Sequence, residues 1–162
     1  YRCSYCQHFR FQRAKKIIMI FAHLLIGIIL GKLFGNPFLS ILGSVFPDID
    51  HIYVIVKNKF FSFRKIINSM KFEEKFKIRY KTKFVHSLLG LGVFSLIVYF
   101  LDNKGVLYFF IAYLLHLLID WLDIDEKYYL YPINFKLKGF LPIWSKFEKV
   151  TTLILLLIAI IL

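Results

Sequence analysis

Gly43–His51 reads Gly-Ser-Val-Phe-Pro-Asp-Ile-Asp-His and sets two carboxylates and an imidazole in a stretch that is otherwise nearly all apolar. Pro47 is expected to interrupt the preceding helix, because its ring blocks the helical hydrogen-bond ladder. Charged groups are costly in a low-dielectric environment unless an opposite charge lies between them. The stretch therefore predicts a broken helix over residues 37–56, with a cation, preferably a metal ion, beside its acidic residues.

The rest of the chain alternates between long apolar runs and short polar or basic ones. Of its 162 residues, 59% are hydrophobic and 20% are charged. This length fits one domain, and the hydrophobic fraction exceeds the roughly 45–50% that is typical of soluble domains. We therefore predict an integral membrane protein.

Apolar segments predict an all-α membrane bundle of four to five helices. The segments are Ile17–Gly35, the broken helix of residues 37–56, Phe84–Leu101, Val106–Leu122 and Val150–Leu162. The first is long enough to cross a bilayer at about 1.5 Å per residue. The last is short for a span, so it either crosses with a tilt into a thin region, lies in the interface or is cut by the end of the chain.

The N-terminal residues 1–18 are interpreted as a basic extension that is not part of the native domain. The first Met is Met19, and residues 19–162 are predicted to form one membrane-embedded domain. Cys3 and Cys6, with His8 nearby, provide only half of a four-ligand zinc site, so we do not expect a metal there.

A basic loop, residues 57–83, separates the second and third apolar segments. Ten Lys or Arg residues oppose Glu73 and Glu74, with Phe, Ile and Met interleaved. This pattern predicts amphipathic helices on an anionic leaflet, and the positive-inside rule places the loop and the N-terminus in the cytoplasm. The net charge of +12 would also suit nucleic acid, but the basic residues lie beside apolar segments, which favours membrane lipids and their anionic headgroups as partners.

Histidines recur in the other apolar segments at a similar predicted depth. His116 and Asp120 are spaced i and i+4, so they share one helix face. Helical rise places each histidine near the cytoplasmic end of its segment. We therefore predict one metal site built from the following residues: His23, Asp48, Asp50, His51, His86, His116 and Asp120. Ser87 is interpreted as a packing hydroxyl or a support for these ligands.

Histidine and carboxylate ligands suit Zn, Mn or Fe, and oxygen-rich subsites favour Mn or Mg. The set is large enough for one ion, or for two ions about 3.5–4 Å apart. A bound divalent ion lowers the pKa of its water to near 7 and supplies hydroxide as a nucleophile. We predict a metal-dependent hydrolase, with Zn as the first choice and Mn or Mg as alternatives, and assign the catalytic step to Asp50, His51 and Asp120.

Other interpretations use the same residues. A lone His in an apolar helix often forms a helix–helix hydrogen bond, and Asp48 and Asp50 could cap a helix that starts near His51. Intramembrane acids and histidines also form relays in metal or proton transporters. A non-catalytic anchor could recruit a partner through its basic loop. The apolar outer halves of the spans argue against a transporter, and an anchor would not need the three carboxylates.

The motifs resemble those of the YdjM-like family of membrane-bound, predicted metal-dependent hydrolases of bacteria and archaea. The matching stretches are Met19-Ile-Phe-Ala-His23, Phe46-Pro47-Asp48-Ile49-Asp50-His51, Val85-His86-Ser87, and His116, Asp120 and Asp123 followed by Tyr131-Pro132. The resemblance covers about residues 19–162. It implies a multi-pass protein of a prokaryotic plasma membrane in which Asp123, like Ser87, supports the ligands or touches substrate.

The chain departs from that family pattern at several positions, and Ala22 stands where the family has Thr. Lys81-Thr82-Lys83 stands where His-Arg-Gly is frequent, Asp123 replaces a usual Thr, and Glu126 replaces a usual Gly. If these positions touch substrate, specificity differs or activity is reduced. The motif order is also distantly similar to that of the all-helical zinc phospholipase C and P1 nuclease group, which implies a phosphoester of a lipid or of a membrane-proximal substrate.

Overall fold

The computed structural model describes residues 15–62, 65–66, 80–122, 126–141 and 146–162. Its helices and strands, in chain order, are α1 (Lys15–Phe34), α2 (Pro37–Val45), a 3₁₀ turn (Phe46–Asp48), α3 (Ile49–Lys57), α4 (Leu88–Leu101), α5 (Val106–Leu122), β1 (Glu126–Lys127), β2 (Leu137–Lys138) and α6 (Lys146–Ile161). The prediction of a mostly helical protein is confirmed. Within the described ranges, the exception is the short antiparallel pairing of β1 with β2, which was not predicted from the sequence.

A tight turn at Gly35 and Asn36 joins α1 to α2. Gly35 has a φ of 77°, a left-handed conformation that glycine adopts without strain. Asn36 caps α2, because its side-chain oxygen accepts a hydrogen bond from the Leu39 amide at 3.2 Å. Pro37 takes the first helical position, where no amide donor is needed.

The two helices then approach closely along small residues. A Cβ atom on Gly27 would clash with Ser44 and with the backbone of Ile41, and one on Gly31 would clash with Pro37. Such close contact between small residues is the usual way in which helices associate where no hydrophobic effect drives them together. It brings the start of α1 alongside the end of α2.

The interruption at Pro47 takes the form of a 3₁₀ turn, so that α2 and α3 form one continuous helical path. Among the residues that the structure describes, Pro37–Lys57 is the helical run that is long and apolar enough to cross a membrane. Four further apolar helices are shorter: Phe21–Phe34, Leu88–Leu101, Val106–Leu122 and Lys149–Ile161.

Helix α5 lies at the centre of the bundle. It packs against α2, α4 and α1, and it buries Phe109, Ala112, Tyr113 and Leu117. Helix α6 packs against α1, and the Lys32 ammonium donates a hydrogen bond to the Ala159 carbonyl at 2.8 Å. Because both residues lie near the C-terminal ends of their helices, α6 runs in the same direction as α1.

The third apolar segment differs from its predicted bounds. Its helix begins at Leu88 rather than at Phe84, because Ser87 acts as the N-cap and accepts a hydrogen bond from the Gly90 amide. His86 therefore lies in a turn and not inside the helix. The last helix, α6, is longer than predicted and begins at Lys146.

Some predictions fall outside the described residues. They concern the N-terminal Cys3, Cys6 and His8, most of the basic loop of residues 57–83, and Asp123. The proposed domain boundary near Met19 also stays a prediction.

Candidate metal centre

Helix α5 supplies two buried groups to the candidate site, His116 and Asp120. Their i and i+4 spacing places both on the face of α5 that is covered by other elements. His116 Nδ1 lies 2.7 Å from the Ser44 carbonyl oxygen. Because a carbonyl only accepts, Nδ1 must carry the proton, which leaves Nε2 with a free lone pair. Nε2 is buried and has no hydrogen-bond partner among the described atoms, as a metal ligand would require.

Helix α1 adds His23, which is packed directly on His116. The two rings stack with their centroids 3.8 Å apart and their planes 25° apart. His23 Nε2 lies 3.4 Å from Asp120 Oδ1. His23 Nδ1 is buried without a hydrogen-bond partner in the described part of the chain. Burying an imidazole nitrogen in this way is unfavourable unless a further ligand binds there.

The first turn of α3 supplies the pair Asp50 and His51. Asp50 Oδ1 lies 2.7 Å from His51 Nδ1, while Asp50 Oδ2 accepts a hydrogen bond from the Thr82 amide at 2.7 Å. The carboxylate is thus held at both oxygens. The His51 side chain is 15% exposed and that of Asp50 is 2% exposed, which places His51 at the rim of the cluster.

Asp48 occupies the N-cap position of α3 but makes no side-chain capping hydrogen bond. Capping therefore does not explain this residue. Its Oδ1 lies 3.9 Å from both His51 Nδ1 and His116 Nε2. Its Oδ2 is buried and lacks a hydrogen-bond partner within the described ranges. An oxygen in this state is available to a cation.

His86 lies between two carboxylates. Its Nδ1 is 3.0 Å from Asp50 Oδ2, and its Nε2 is 3.5 Å from Asp120 Oδ2. The adjacent Ser87 hydroxyl is engaged by backbone, since it donates to the Phe84 carbonyl at 2.6 Å as well as capping α4. Ser87 therefore fixes the turn that carries His86.

Tyr113 also holds this turn against α5. Its hydroxyl donates a hydrogen bond to the Val85 carbonyl at 2.5 Å. Tyr113 was not predicted as a site residue, because an aromatic residue on a buried helix face is usually part of the core.

Lys81 is the charged residue in contact with the cluster that sequence reasoning missed. Its ammonium donates a hydrogen bond to Asp120 Oδ2 at 2.7 Å. In the sequence, Lys81 belongs to the basic loop, and its one distinguishing signal was the departure from the family motif. No helical periodicity connects it to Asp120, so spacing could not have placed it there.

The structure thus brings all seven residues that were predicted as ligands into one connected cluster. Two groups of three could each hold an ion, His23 with His116 and Asp120, and Asp48 with His86 and His116. In each group the candidate ligand atoms lie within 4.8 Å of one another. Neutral imidazole and carboxylate ligands with unpartnered buried atoms fit a divalent ion such as Zn or Mn. Asp123, predicted to support this site, lies outside the described residues.

The short strand pair carries a separate ion-pair network. Glu126 lies 3.0 Å from the Lys136 ammonium and 3.4 Å from that of Lys138. Hydrogen bonds from these lysines hold the pKa of the Glu126 carboxyl below its usual value. Glu126, one of the departures from the family motif, therefore makes a local surface contact between β1 and its partner strand.

The family described as YdjM inner membrane protein matches residues 18–162. No curated protein and no solved structure matches this chain.

Proposed function

Because this chain belongs to the YdjM inner membrane protein family, we propose that its buried His/Asp cluster holds a divalent metal and hydrolyses an ester at the membrane. The observation that carries this proposal is the set of unpartnered ligand atoms at the cluster. Asp48 Oδ2, His86 Nε2 and His116 Nε2 are buried and lack hydrogen-bond partners in the described residues. Buried polar atoms without partners are rare in folded proteins, and a shared cation explains several of them at once.

The bundle is proposed to cross a prokaryotic plasma membrane with four or five helices. Support comes from the large apolar side chains that α4 and α6 leave exposed, among them Phe100, Leu101 and Ile161. Such an apolar surface is unfavourable in water and suits lipid. The parallel course of α1 and α6 is compatible with α6 as a fifth span. In this orientation the cluster lies toward the cytoplasmic leaflet, beside the basic loop of residues 57–83 and its anionic headgroups.

Six of the seven residues predicted as ligands are proposed to hold the ion: His23, Asp48, Asp50, His86, His116 and Asp120. His51 is proposed as the general base instead, because its Nδ1 lies against Asp50 and its Nε2 must stay free to take a proton. Zn is the first choice, with Mn or Mg as alternatives and one or two ions. When bound, such an ion lowers the pKa of a coordinated water toward 7.

The chain's own residues would position and move the proton. The Asp50 carboxylate accepts the Nδ1 proton of His51 and orients the ring, so that His51 Nε2 can take a proton from the attacking water. Asp50 then stabilises the imidazolium that forms. Asp120 lies close to His23 and His86 and would keep both rings in place. The accessible position of His51 favours a substrate that approaches from the rim, such as a lipid phosphoester or another membrane-proximal phosphoester.

Metal content tests this proposal most directly. Detergent-purified wild-type protein would be analysed by elemental mass spectrometry beside Asp50→Ala and His116→Ala. Glu126→Gln serves as a matched control, because it removes a carboxylate outside the cluster. We expect one or two equivalents of Zn or Mn in the wild type and the control, and loss of metal in the two cluster variants while circular dichroism shows retained helix.

A positive result would justify an assay for metal-dependent release of phosphate or headgroup from phospholipid vesicles. No bound metal in the wild type, with no stabilisation when Zn or Mn is added back, would refute the proposal. The cluster would then be a buried polar network of a non-catalytic membrane protein, either a transporter or an anchor for a partner of the basic loop.

A further inference from the structure

Lys81 supplies a positive charge at the point where the proposed ligands converge. Its ammonium lies 2.7 Å from Asp120 Oδ2, and the Nε2 atoms of His86 and His116 lie 3.5 and 3.7 Å from the same oxygen. The Asp120 side chain is 1% exposed, so its charge must be balanced from within the protein. In this arrangement an ammonium group balances it.

We propose that Lys81 is a tethered competitor for the metal centre, whose ammonium must leave Asp120 before a divalent ion can gain full use of that carboxylate. This inference rests on the proposed function. An ammonium and a divalent cation that share one carboxylate oxygen would repel each other at short distance. Metal binding therefore includes the free energy of breaking a charge-assisted hydrogen bond, one of the stronger kinds in proteins.

The local backbone allows the side chain to leave alone. The amide of Thr82, the next residue, is hydrogen-bonded to Asp50 Oδ2 at 2.7 Å, which ties the chain to the cluster. The Lys81 side chain is 23% exposed, and its flexible four-carbon stem can turn toward the rim without movement of that amide. The displaced ammonium would then be solvated.

A competitor of this kind acts on every metal in the same way. The free energy of displacing Lys81 does not depend on the ion that replaces it, so the Kd of each ion is raised by the same factor. Ions of high intrinsic affinity still bind at low concentration, whereas weak binders such as Mg do not. Lys81 would thus restrict the centre to tightly bound ions without a change in their relative affinities.

A purely structural ion pair makes a different prediction. If Lys81 only fastened the end of the basic loop to α5, its removal would lower stability equally with and without metal. The two roles are therefore distinguished by metal affinity rather than by stability alone.

The test compares Lys81→Gln with the matched control Lys83→Gln. Glutamine keeps a donor for Asp120 and removes the charge. Lys83 carries the same charge two residues away, but its ammonium donates to Asn134 and lies over the Tyr128 ring. The Kd values of Zn²⁺ and Mn²⁺ would be measured in detergent by competition with a fluorescent chelator, together with melting temperatures with and without each ion.

For Lys81→Gln we expect both Kd values to fall by about 10-fold, and by the same factor for the two ions, because the metal then has to displace a neutral hydrogen bond instead of a stronger charge-assisted one. Lys83→Gln should retain the wild-type Kd values. The metal-free Lys81→Gln protein should melt below the wild type, and its melting temperature should rise further than that of the wild type when metal is added. If it unfolds without metal, purification with Zn²⁺ and back-titration with chelator yields the same Kd.

Equal Kd values in wild type and Lys81→Gln would overturn the competitor role while the metal centre stands. Weaker binding in Lys81→Gln would also overturn it, because Lys81 would then support the ligands. Failure of both proteins to bind any metal would refute the proposed function itself along with this inference.

Discussion

Gly43 offers a way to disturb the cluster without touching any of its side chains. It lies on α2 where that helix crosses α5, and a Cβ atom there would lie 3.0 Å from the Cα and carbonyl carbon of Phe109, and closer still to the carbonyl oxygen. These are backbone atoms, which cannot rotate away. In Gly43→Ala the two helices must therefore separate by roughly 1 Å to restore ordinary van der Waals contact.

This separation acts on the hydrogen bond beside it. The carbonyl of Ser44, the next residue, accepts from His116 Nδ1 at 2.7 Å across the same interface. Lengthening by roughly 1 Å takes this contact beyond hydrogen-bonding range. Overpacking costs about 1–3 kcal/mol and loss of the hydrogen bond about 0.5–1.5 kcal/mol, so we expect the free energy of unfolding to fall by about 1.5–4.5 kcal/mol. Metal affinity should fall about 10- to 100-fold, because the partner that orients His116 is lost.

Gly92→Ala is the matched control. A Cβ atom on Gly92 would meet nothing within 4 Å, so this change should leave metal affinity unaltered and stabilise α4 by up to about 1 kcal/mol. Thermal unfolding followed by circular dichroism in detergent, with and without Zn²⁺, measures the stability, and chelator competition measures the affinity. A Gly43→Ala protein as stable as Gly92→Ala, with wild-type metal affinity, would refute the reasoning.

Three further predictions follow from the same structure. Chelation of the metal-loaded protein should lower its melting temperature, since an ion at 100 times its Kd stabilises the folded state by about 2.7 kcal/mol; an unchanged melting temperature after verified metal removal would contradict this. In chemical denaturation, Ser87→Ala should lower the free energy of unfolding by about 1 kcal/mol, because the Ser87 hydroxyl accepts a hydrogen bond from the Gly90 amide at 3.1 Å. Ser95→Ala should lower it less, because the Ser95 hydroxyl is buried with no hydrogen-bond partner in the described residues. NMR titration should find the pKa of Glu126 below its usual value, because Lys136 lies 3.0 Å away, and added salt should raise it. At pH values above the ordinary carboxyl pKa this ion pair stabilises the folded protein, and the stabilisation is lost as the pH falls through the lowered pKa of Glu126. An ordinary pKa for Glu126 at low salt would contradict the contact.

Helical spacing made most of the cluster predictable. His23, His116 and Asp120 lie on regular helices, where rise per residue fixes depth and the i, i+4 rule fixes the face. The Pro-Asp-Ile-Asp-His stretch could be recognised because it places charged residues in an otherwise apolar sequence. Together with the recurrence of a histidine in the segment that carries His86, these signals named the described side chains of the cluster apart from Lys81.

The loops were not predictable in the same way. Lys81 lies between helices, where no period relates position in the sequence to position in space, and its placement depends on a long-range hydrogen bond to Asp120. His86 was predicted as a ligand, but its location in a turn was not, because that turn is held by the hydrogen bond from Tyr113. The pairing of β1 with β2 has only two residues per strand, too few for an alternating pattern to be recognised. The partner of α6 is likewise a matter of packing between distant segments.

The contact between Lys32 and Ala159 has a consequence for the order of events during synthesis. The two residues are 127 positions apart, so at about 5–20 residues per second the ribosome needs on the order of ten seconds to make the second after the first. Throughout that interval the face of α1 that α6 will cover is open to lipid or to insertion factors. Helix α1 is therefore made before α6 but is covered by it only after α6 has been synthesised.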